Sequence, residues 1–428
     1  MALLAGRSAR TLLTYLAALD TGRPVLLVDP AQHADALNSL LLRYEPVAVL
    51  CTRERVAAVG KAGVEPPDGY RRMPSHWVLR TPRVRPAPHP ELCLLLATSG
   101  STGSPRLVRL SRAAVRANAR SVAEALDIGP GSVAVTGLPL FYGYGLAVVH
   151  THLLAGGTLV VSTQSPMTAG YWHAVDRHHA TTFDAVPATY EMLRRLRWNP
   201  TDHASLRCLT QAGGRMRPAL AAELHATMVG SGRVGLYLMY GQTEATARMA
   251  VLPPDRLARK AGSVGPAVPG GRFTIEGDDE VVYHGPNVMM GYADRADDLA
   301  RGDDLGGVLH TGDRGHLDDE GYLFLTGRSN RLGKVMGIRV DLTEVETAVQ
   351  EMAPSMTCPV AAVCADDRLS VWCETGPGTD ATDWVAFGAL LADRLRLPRR
   401  ACFVRAVERF PLLPTGKVDY RALEAASC

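Results

Sequence analysis

Apolar runs of strand length alternate along the chain with stretches of helical period. Residues 11–19 are apolar at helical spacing, and Pro24-Val25-Leu26-Leu27-Val28-Asp29-Pro30 reads as a strand ending in a turn. Leu94-Leu95-Leu96-Ala97 suits a buried strand. Ser111 is placed to cap a helix whose apolar positions include Val115, Ala119, Val122 and Leu126. On that helix Arg112, Arg116 and Arg120 recur at four-residue spacing and predict a solvated face. Residues 158–161 and 236–239 predict buried strands, and the glycines and prolines of 262–291 predict short strands with tight turns. The alternation predicts an α/β fold with layered, mostly parallel sheets. Further along, Thr343 and Glu346 have capping-box spacing ahead of Val345, Val349 and Met352. Strand-like runs follow at 360–364, 369–373 and 402–407. These predict a small α+β domain of about a hundred residues, so the expected division is 1–328 and 329–428.

Composition narrows the class. A chain of 428 residues can form two or three domain-sized units. With 46% hydrophobic and 21% charged residues it reads as a globular enzyme, and a net charge of +3 implies no nucleic-acid partner. None of the eight cysteines forms a Cys-x-x-Cys pair, which predicts reduced thiols in a cytoplasmic protein and no zinc site. No uncharged apolar run reaches membrane-spanning length, because His150 and His152 interrupt residues 145–161.

Candidate chemistry begins where the run at Leu94 breaks. Thr98, Ser99, Gly100, Ser101, Thr102, Gly103 and Ser104 form a hydroxyl-rich loop whose two glycines let backbone N–H groups approach an anion. The loop can wrap a polyphosphate, and it lacks the Gly-x-x-x-x-Gly-Lys-Ser/Thr pattern of a Walker A loop. Four further segments follow: Tyr240-Gly241-Gln242-Thr243-Glu244; His310-Thr311-Gly312-Asp313; Gly327-Arg328 with Lys334 and Gly337-Ile338-Arg339-Val340; and Leu413-Pro414-Thr415-Gly416-Lys417. In this order and spacing the five segments resemble the adenylate-forming superfamily: acyl- and aryl-CoA synthetases, peptide-synthetase adenylation domains and luciferases. The resemblance covers nearly the whole chain.

The resemblance implies an acid–AMP ligase that uses ATP and Mg²⁺, releases pyrophosphate, and passes the acyl group to a thiol. The acceptor is CoA or the phosphopantetheine of an acyl carrier protein acting in trans. Residue by residue, it implies that Thr98 to Gly103 hold the β- and γ-phosphates, with Arg106 and Leu107 where the family commonly has Lys and Gly. It gives Glu244 to Mg²⁺, Thr243 to the α-phosphate, Tyr240 to the adenine, Asp313 to the ribose hydroxyls, and Arg328 to ribose and phosphate. Gly214 and Arg215 line the adenine side. Lys417 matches the catalytic lysine that bridges carboxylate and α-phosphate, and Asn330 the hinge about which the small domain turns, where the family usually has Asp or Lys. The family also carries several dozen residues before the segment matching 11–30, so a large domain shortened at its start is expected.

The acyl pocket is expected around Phe141, Tyr142, Tyr144 and Gly213, with residues 243–249 nearby. Family members that take α-amino acids place an Asp in the segment matching 138–152, and this chain has no acid there. An aryl, short acyl or otherwise unusual acid is favoured, in a specialised biosynthetic pathway. Two alternatives stay open: a non-thiol acceptor such as an amine or nitrogen oxide species, or a non-catalytic nucleotide-binding protein of the same fold.

Overall fold

The computed structural model describes residues 1–50, 69–73, 76–79, 86–97, 106–229, 232–328, 331–336, 338–353, 358–375 and 383–427. They fall into two compact units, Met1–Thr274 with Tyr283–Leu309, and Ile275–Val282 with His310–Cys428. The expected division after Arg328 therefore falls inside the second unit.

In the first unit, one mixed sheet contains β1 (Ala2–Leu4), β2 (Val25–Val28), β3 (Ala48–Leu50), β4 (Tyr70–Arg72), β5 (His76–Leu79), β6 (Leu92–Ala97) and β7 (Leu107–Ser111). Its centre is parallel, with β2 between β1 and β6. β5 and β7 run antiparallel to their neighbours, so the sheet is less parallel than the alternation of signals suggested. Every residue of β2 is buried, because both faces of the strand are covered. Helix α1 (Ala9–Asp20) starts at Ser8, whose hydroxyl accepts from Thr11 N, and α2 (Ala34–Tyr44) follows β2.

A second sheet contains β8 (Val133–Val135), β9 (Thr158–Val160), β10 (Thr182–Ala185), β11 (Cys208–Gln211), β12 (Gly235–Tyr240) and β13 (Ala250–Leu252). All its pairings are parallel except β12 with β13. β9 is the edge strand and is half-exposed, which corrects the buried strand expected there: with one neighbour only, its outer side has no cover. Helix α3 (Arg112–Ala125) is capped by Ser111, which accepts from Ala114 N, and Arg112, Arg116 and Arg120 all lie on its exposed face. α3 packs along α4 (Gly143–Leu154). Residues 262–291 do form short strands, β14 (Ser263–Gly265), β15 (Arg272–Glu276) and β16 (Glu280–His284), before β17 (Gly291–Ala293) pairs with β7.

The second unit takes up β18 (Val308–Leu317) from His310 onward; β18 and β19 (Leu323–Arg328) are antiparallel, as are β20 (Leu332–Val335) and β21 (Ile338–Asp341). Helix α5 (Leu342–Met352) is capped by Asp341, which accepts from Thr343 N and Glu344 N. This corrects the Thr343–Glu346 capping box: the cap lies two residues upstream, and Glu346 serves a long-range partner. The three strand-like runs are present as β22 (Val360–Ala365), β23 (Arg368–Glu374) and β24 (Cys402–Val407), one sheet packed on α5 and α6 (Trp384–Arg394). A final helix, α7 (Tyr420–Ala425), covers the other face at Ala361 and Val363 through Leu423.

Candidate active site

β11 and β12 run parallel with Gln211 opposite Leu238, so their carboxyl ends open at one edge of the sheet, where α/β folds bind ligands. Past β11, Gly213 has φ of +83°, and a Cβ there would lie 2.1 Å from Tyr142 Oη. Only glycine fits both demands. Tyr142 stands at the cap of α4, Tyr144 lies buried in its first turn, and the two rings meet edge-on at 6.2 Å. Burial pushes the Tyr142 hydroxyl up to about 12 and the Tyr144 hydroxyl well above its usual value.

Past β12 the chain turns sharply. A Cβ on Gly241 would lie 2.1 Å from Ala247 O, and Thr243–Ala245 form a single 3₁₀ turn. Thr246 and Ala247 follow at φ of +56° and +87°, unfavourable for side-chain-bearing residues. Asn287 holds them there: its side-chain amide donates to Ala245 O and Arg248 O, and its main-chain carbonyl accepts from the Thr246 hydroxyl at 2.6 Å. Strain maintained by surrounding bonds is common at functional sites.

This turn presents Glu244, half-buried, to Tyr292 of β17, whose hydroxyl donates to Glu244 Oε1 at 2.8 Å. The Arg106 guanidinium lies 4.5 Å from the centroid of the Tyr292 ring and donates to Asp294 at 3.0 Å. Burial and the neighbouring carboxylate push the Tyr292 hydroxyl far up, so it stays a donor. Tyr292 was not legible as a site residue. The bond leaves Glu244 a second carboxylate oxygen, the hard donor that Mg²⁺ selects.

Three more expected residues sit in the second unit. Asp313 and Arg328 face each other across β18 and β19, and Arg328 Nε donates to Asp313 Oδ1 at 2.6 Å. Lys417 is exposed at the end of a hairpin turn in which Gly416 N donates to Leu413 O and Leu413 N to Lys417 O, both at 2.8 Å. Gly416 has φ of +79°, which a glycine adopts without strain.

The structure therefore gathers Tyr142, Tyr144, Gly213, Tyr240, Thr243 and Glu244 about the carboxyl ends of β11 and β12. Gly214 accepts from Gln211 Nε2 at 2.8 Å beside them, Arg215 is exposed, and Phe141 is half-buried ahead of α4. Tyr240 is buried, its ring 6.3 Å from that of Phe273. Thr98, Ser99, Gly100, Ser101, Thr102, Gly103 and Asn330 lie outside the described residues. The loop's flanks are fixed, with Ala97 opposite Leu107 in the β6–β7 pair. Arg248 and Asp184 also escaped a specific reading, although a charge within Thr182-Phe183-Asp184-Ala185 or Ala247-Arg248-Met249-Ala250 is an anomaly a sequence can show.

The profile of the AMP-binding enzyme family matches residues 1–293. The chain belongs to the AMP-binding enzymes. Its relatives include the indoleacetate–CoA ligase of Aromatoleum aromaticum, 31% identical over 370 residues that span 81% of this chain and 70% of that protein. The L-proline–[L-prolyl-carrier protein] ligase of Streptomyces coelicolor is 28% identical across 95% of this chain and 79% of that protein. Among solved structures, the O-succinylbenzoate coenzyme A synthetase of Bacillus subtilis in complex with ATP and magnesium superposes with a TM-score of 0.71 at 22% identity, over 97% of this chain and 87% of that one. This AMP-binding enzyme is accordingly an ATP-dependent acid–thiol ligase of the adenylate-forming superfamily. Among the described residues no helix is long and apolar enough to cross a membrane.

Proposed function

We propose that the enzyme converts an aryl or short acyl acid, rather than a standard α-amino acid, into its acyl-adenylate and hands the acyl group to CoA or to a carrier protein in trans. The Arg106–Tyr292–Glu244 array at the carboxyl edge of β12 is the observation that carries this reading. It holds the Glu244 carboxylate, to which the resemblance gives Mg²⁺, beside the Tyr292 hydroxyl and the Arg106 guanidinium. Attack of a carboxylate on the α-phosphate brings two anions together, so aligned positive charge and donors are the main requirement.

ATP supplies the electrophilic phosphorus and Mg²⁺ neutralises its oxygens. Glu244 would hold the metal, Thr243 would donate to the phosphate, and Gly213 with Gly214 would let main chain approach the nucleotide. Tyr240 offers an aromatic face to the adenine. Asp313, fixed by Arg328, would accept from the ribose hydroxyls. Lys417 would stabilise the charge that develops as the two anions meet, a task suited to a point charge on a long stem. Asn330, by the resemblance, would be the hinge between the two half-reactions.

The deciding experiment is ATP–pyrophosphate exchange over aryl, acyl and amino acids, with Lys417→Ala as control. One class of acid should support exchange, and the variant should lose about 10²–10³-fold in rate with an unchanged circular dichroism spectrum. A variant that keeps most of its exchange removes Lys417 from the chemistry.

A further inference from the structure

Beneath Tyr144 the larger unit buries a group of charges that the reaction does not use. Arg248 is 2% exposed, with its guanidinium 3.9 Å from the centroid of the Tyr144 ring. Its bonds are made to Ala247 O at 3.0 Å and Met239 Sδ at 3.4 Å, and no carboxylate lies within 4.0 Å of it among the described residues. Asp184 of β10 is 8% exposed. Its Oδ1 accepts from the Thr210 hydroxyl at 2.6 Å, and that hydroxyl shares a 2.6 Å bond with Tyr144 Oη.

Asp184 Oδ2 has no partner, and neither has the hydroxyl of Thr151, a residue 1% exposed on α4. Arg248, Asp184, Thr151 and His152 all line one small cavity, with Val148, Met239 and Leu126 beside them. Its free space is about 10 Å³, enough for a single water-sized group. The same apolar cluster that surrounds it includes Tyr142 and Tyr144, the aromatic wall of the expected acyl pocket.

Two buried oxygens without partners are costly, each by the desolvation of an unmade hydrogen bond. Both oxygens belong to residues that line the same gap. The gap also selects what it can take. A cationic substituent would meet the Arg248 guanidinium, and an anionic one would meet Asp184. A methyl group would leave both oxygens unsatisfied. A neutral group of one heavy atom that both donates and accepts answers all three walls, and a hydroxyl is such a group. Burial pushes the Asp184 carboxyl up, with His152, Thr210 and Arg248 drawing it back.

Resting on the ligase reading above, we infer that this cavity is the blind end of the acyl pocket and reads a hydroxyl group at the far end of the acid, so that the enzyme's substrate is a hydroxy acid.

The test compares acids that differ by one hydroxyl: benzoate against 3- and 4-hydroxybenzoate, and butyrate against 3- and 4-hydroxybutyrate. 4-Aminobenzoate and terephthalate serve as controls. kcat/KM for pyrophosphate exchange and the melting shift on adding each acid with ATP are both measured. One hydroxylated member should exceed its parent by about 10²-fold or more, because a site built around a hydroxyl leaves its own groups unpaired without one. Thr151→Val and Asp184→Asn should reduce that ratio to within a few-fold. Thr151→Val should melt no lower than wild type, since the hydroxyl it removes has no partner. Equal use of parent and hydroxy acid, a ratio that survives both variants, or preference for terephthalate overturns the inference and makes the gap a hydrated piece of core. Melting shifts that keep the hydroxyl preference without any exchange uphold the subsite and sink the ligase reading. No shift and no exchange with any hydroxy acid sinks the subsite.

Discussion

Arg331 lies flat on Tyr420, its guanidinium 4.2 Å from the ring centroid, and closes a fork on Glu346 at 2.9 and 3.2 Å. It joins the first described residue after the expected hinge to the helix that begins three residues past Lys417. Burial pushes the Glu346 carboxyl up while Arg331 pulls it back.

Breaking this pair is expected to be costly. Arg331→Met strands a buried carboxylate, and a loss of about 3 kcal/mol is expected. Arg331→Lys should recover only part of it, because an ammonium cannot make the two-pronged contact. Tyr420→Phe keeps the stacking and removes the hydroxyl bonds, for about 1 kcal/mol. Urea unfolding followed through the smaller unit ranks the three. Equal midpoints would show that the cluster contributes nothing.

Tyr292→Phe removes the donor from Glu244 Oε1 and keeps the ring beneath Arg106. If Glu244 holds the metal, the Mg²⁺ concentration for half-maximal exchange should rise about tenfold, with little change in melting temperature. An unchanged Mg²⁺ requirement would assign Tyr292 to packing alone.

Gly213→Ala meets two obstacles, a φ of +83° and the Tyr142 hydroxyl 2.1 Å from the new Cβ. The variant should lose most exchange activity and about 1–3 kcal/mol of stability. Adding Tyr142→Phe should restore part of both, since it removes the nearer obstacle and leaves the backbone strain. Additive losses in the double variant would deny the contact.

His150 Nε2 shares a 2.8 Å hydrogen bond with the Tyr15 hydroxyl, and burial lowers the His150 pKa from 6.5 to about 4. The unfolded chain therefore takes up this proton first. The stabilisation is complete above about pH 6.5 and is lost as pH falls toward 4, at most about 3 kcal/mol in all. His150→Gln should flatten that part of the stability–pH curve. A curve of unchanged slope would place the acid sensitivity elsewhere.

The sheet of the smaller unit was legible because β22 is an unbroken apolar run, and β23 and β24 are apolar apart from Ser370 and Arg405 in their interiors. The start of α5 was misjudged because a local spacing rule competes with partners from afar. Asp341 takes the two N–H groups, and Glu346 goes to Arg331 and Ala362 N. At the site, the turn after β12 could be read from its own residues. The Tyr292–Glu244 bond joins positions 48 residues apart, and no periodicity links them. Asp184 and Arg248 stand out as charges in apolar runs, but only the packing of β10 against α4 turns two anomalies into one cavity.

Every side chain proposed to line the acyl pocket belongs to the larger unit, whereas Lys417 and the Asp313–Arg328 pair belong to the smaller. The acyl pocket and the proposed catalytic lysine are thus written in different stretches of the gene. A crossover near codon 310 would exchange one and keep the other, so new substrate ranges can arise by recombination between relatives without reinventing the chemistry.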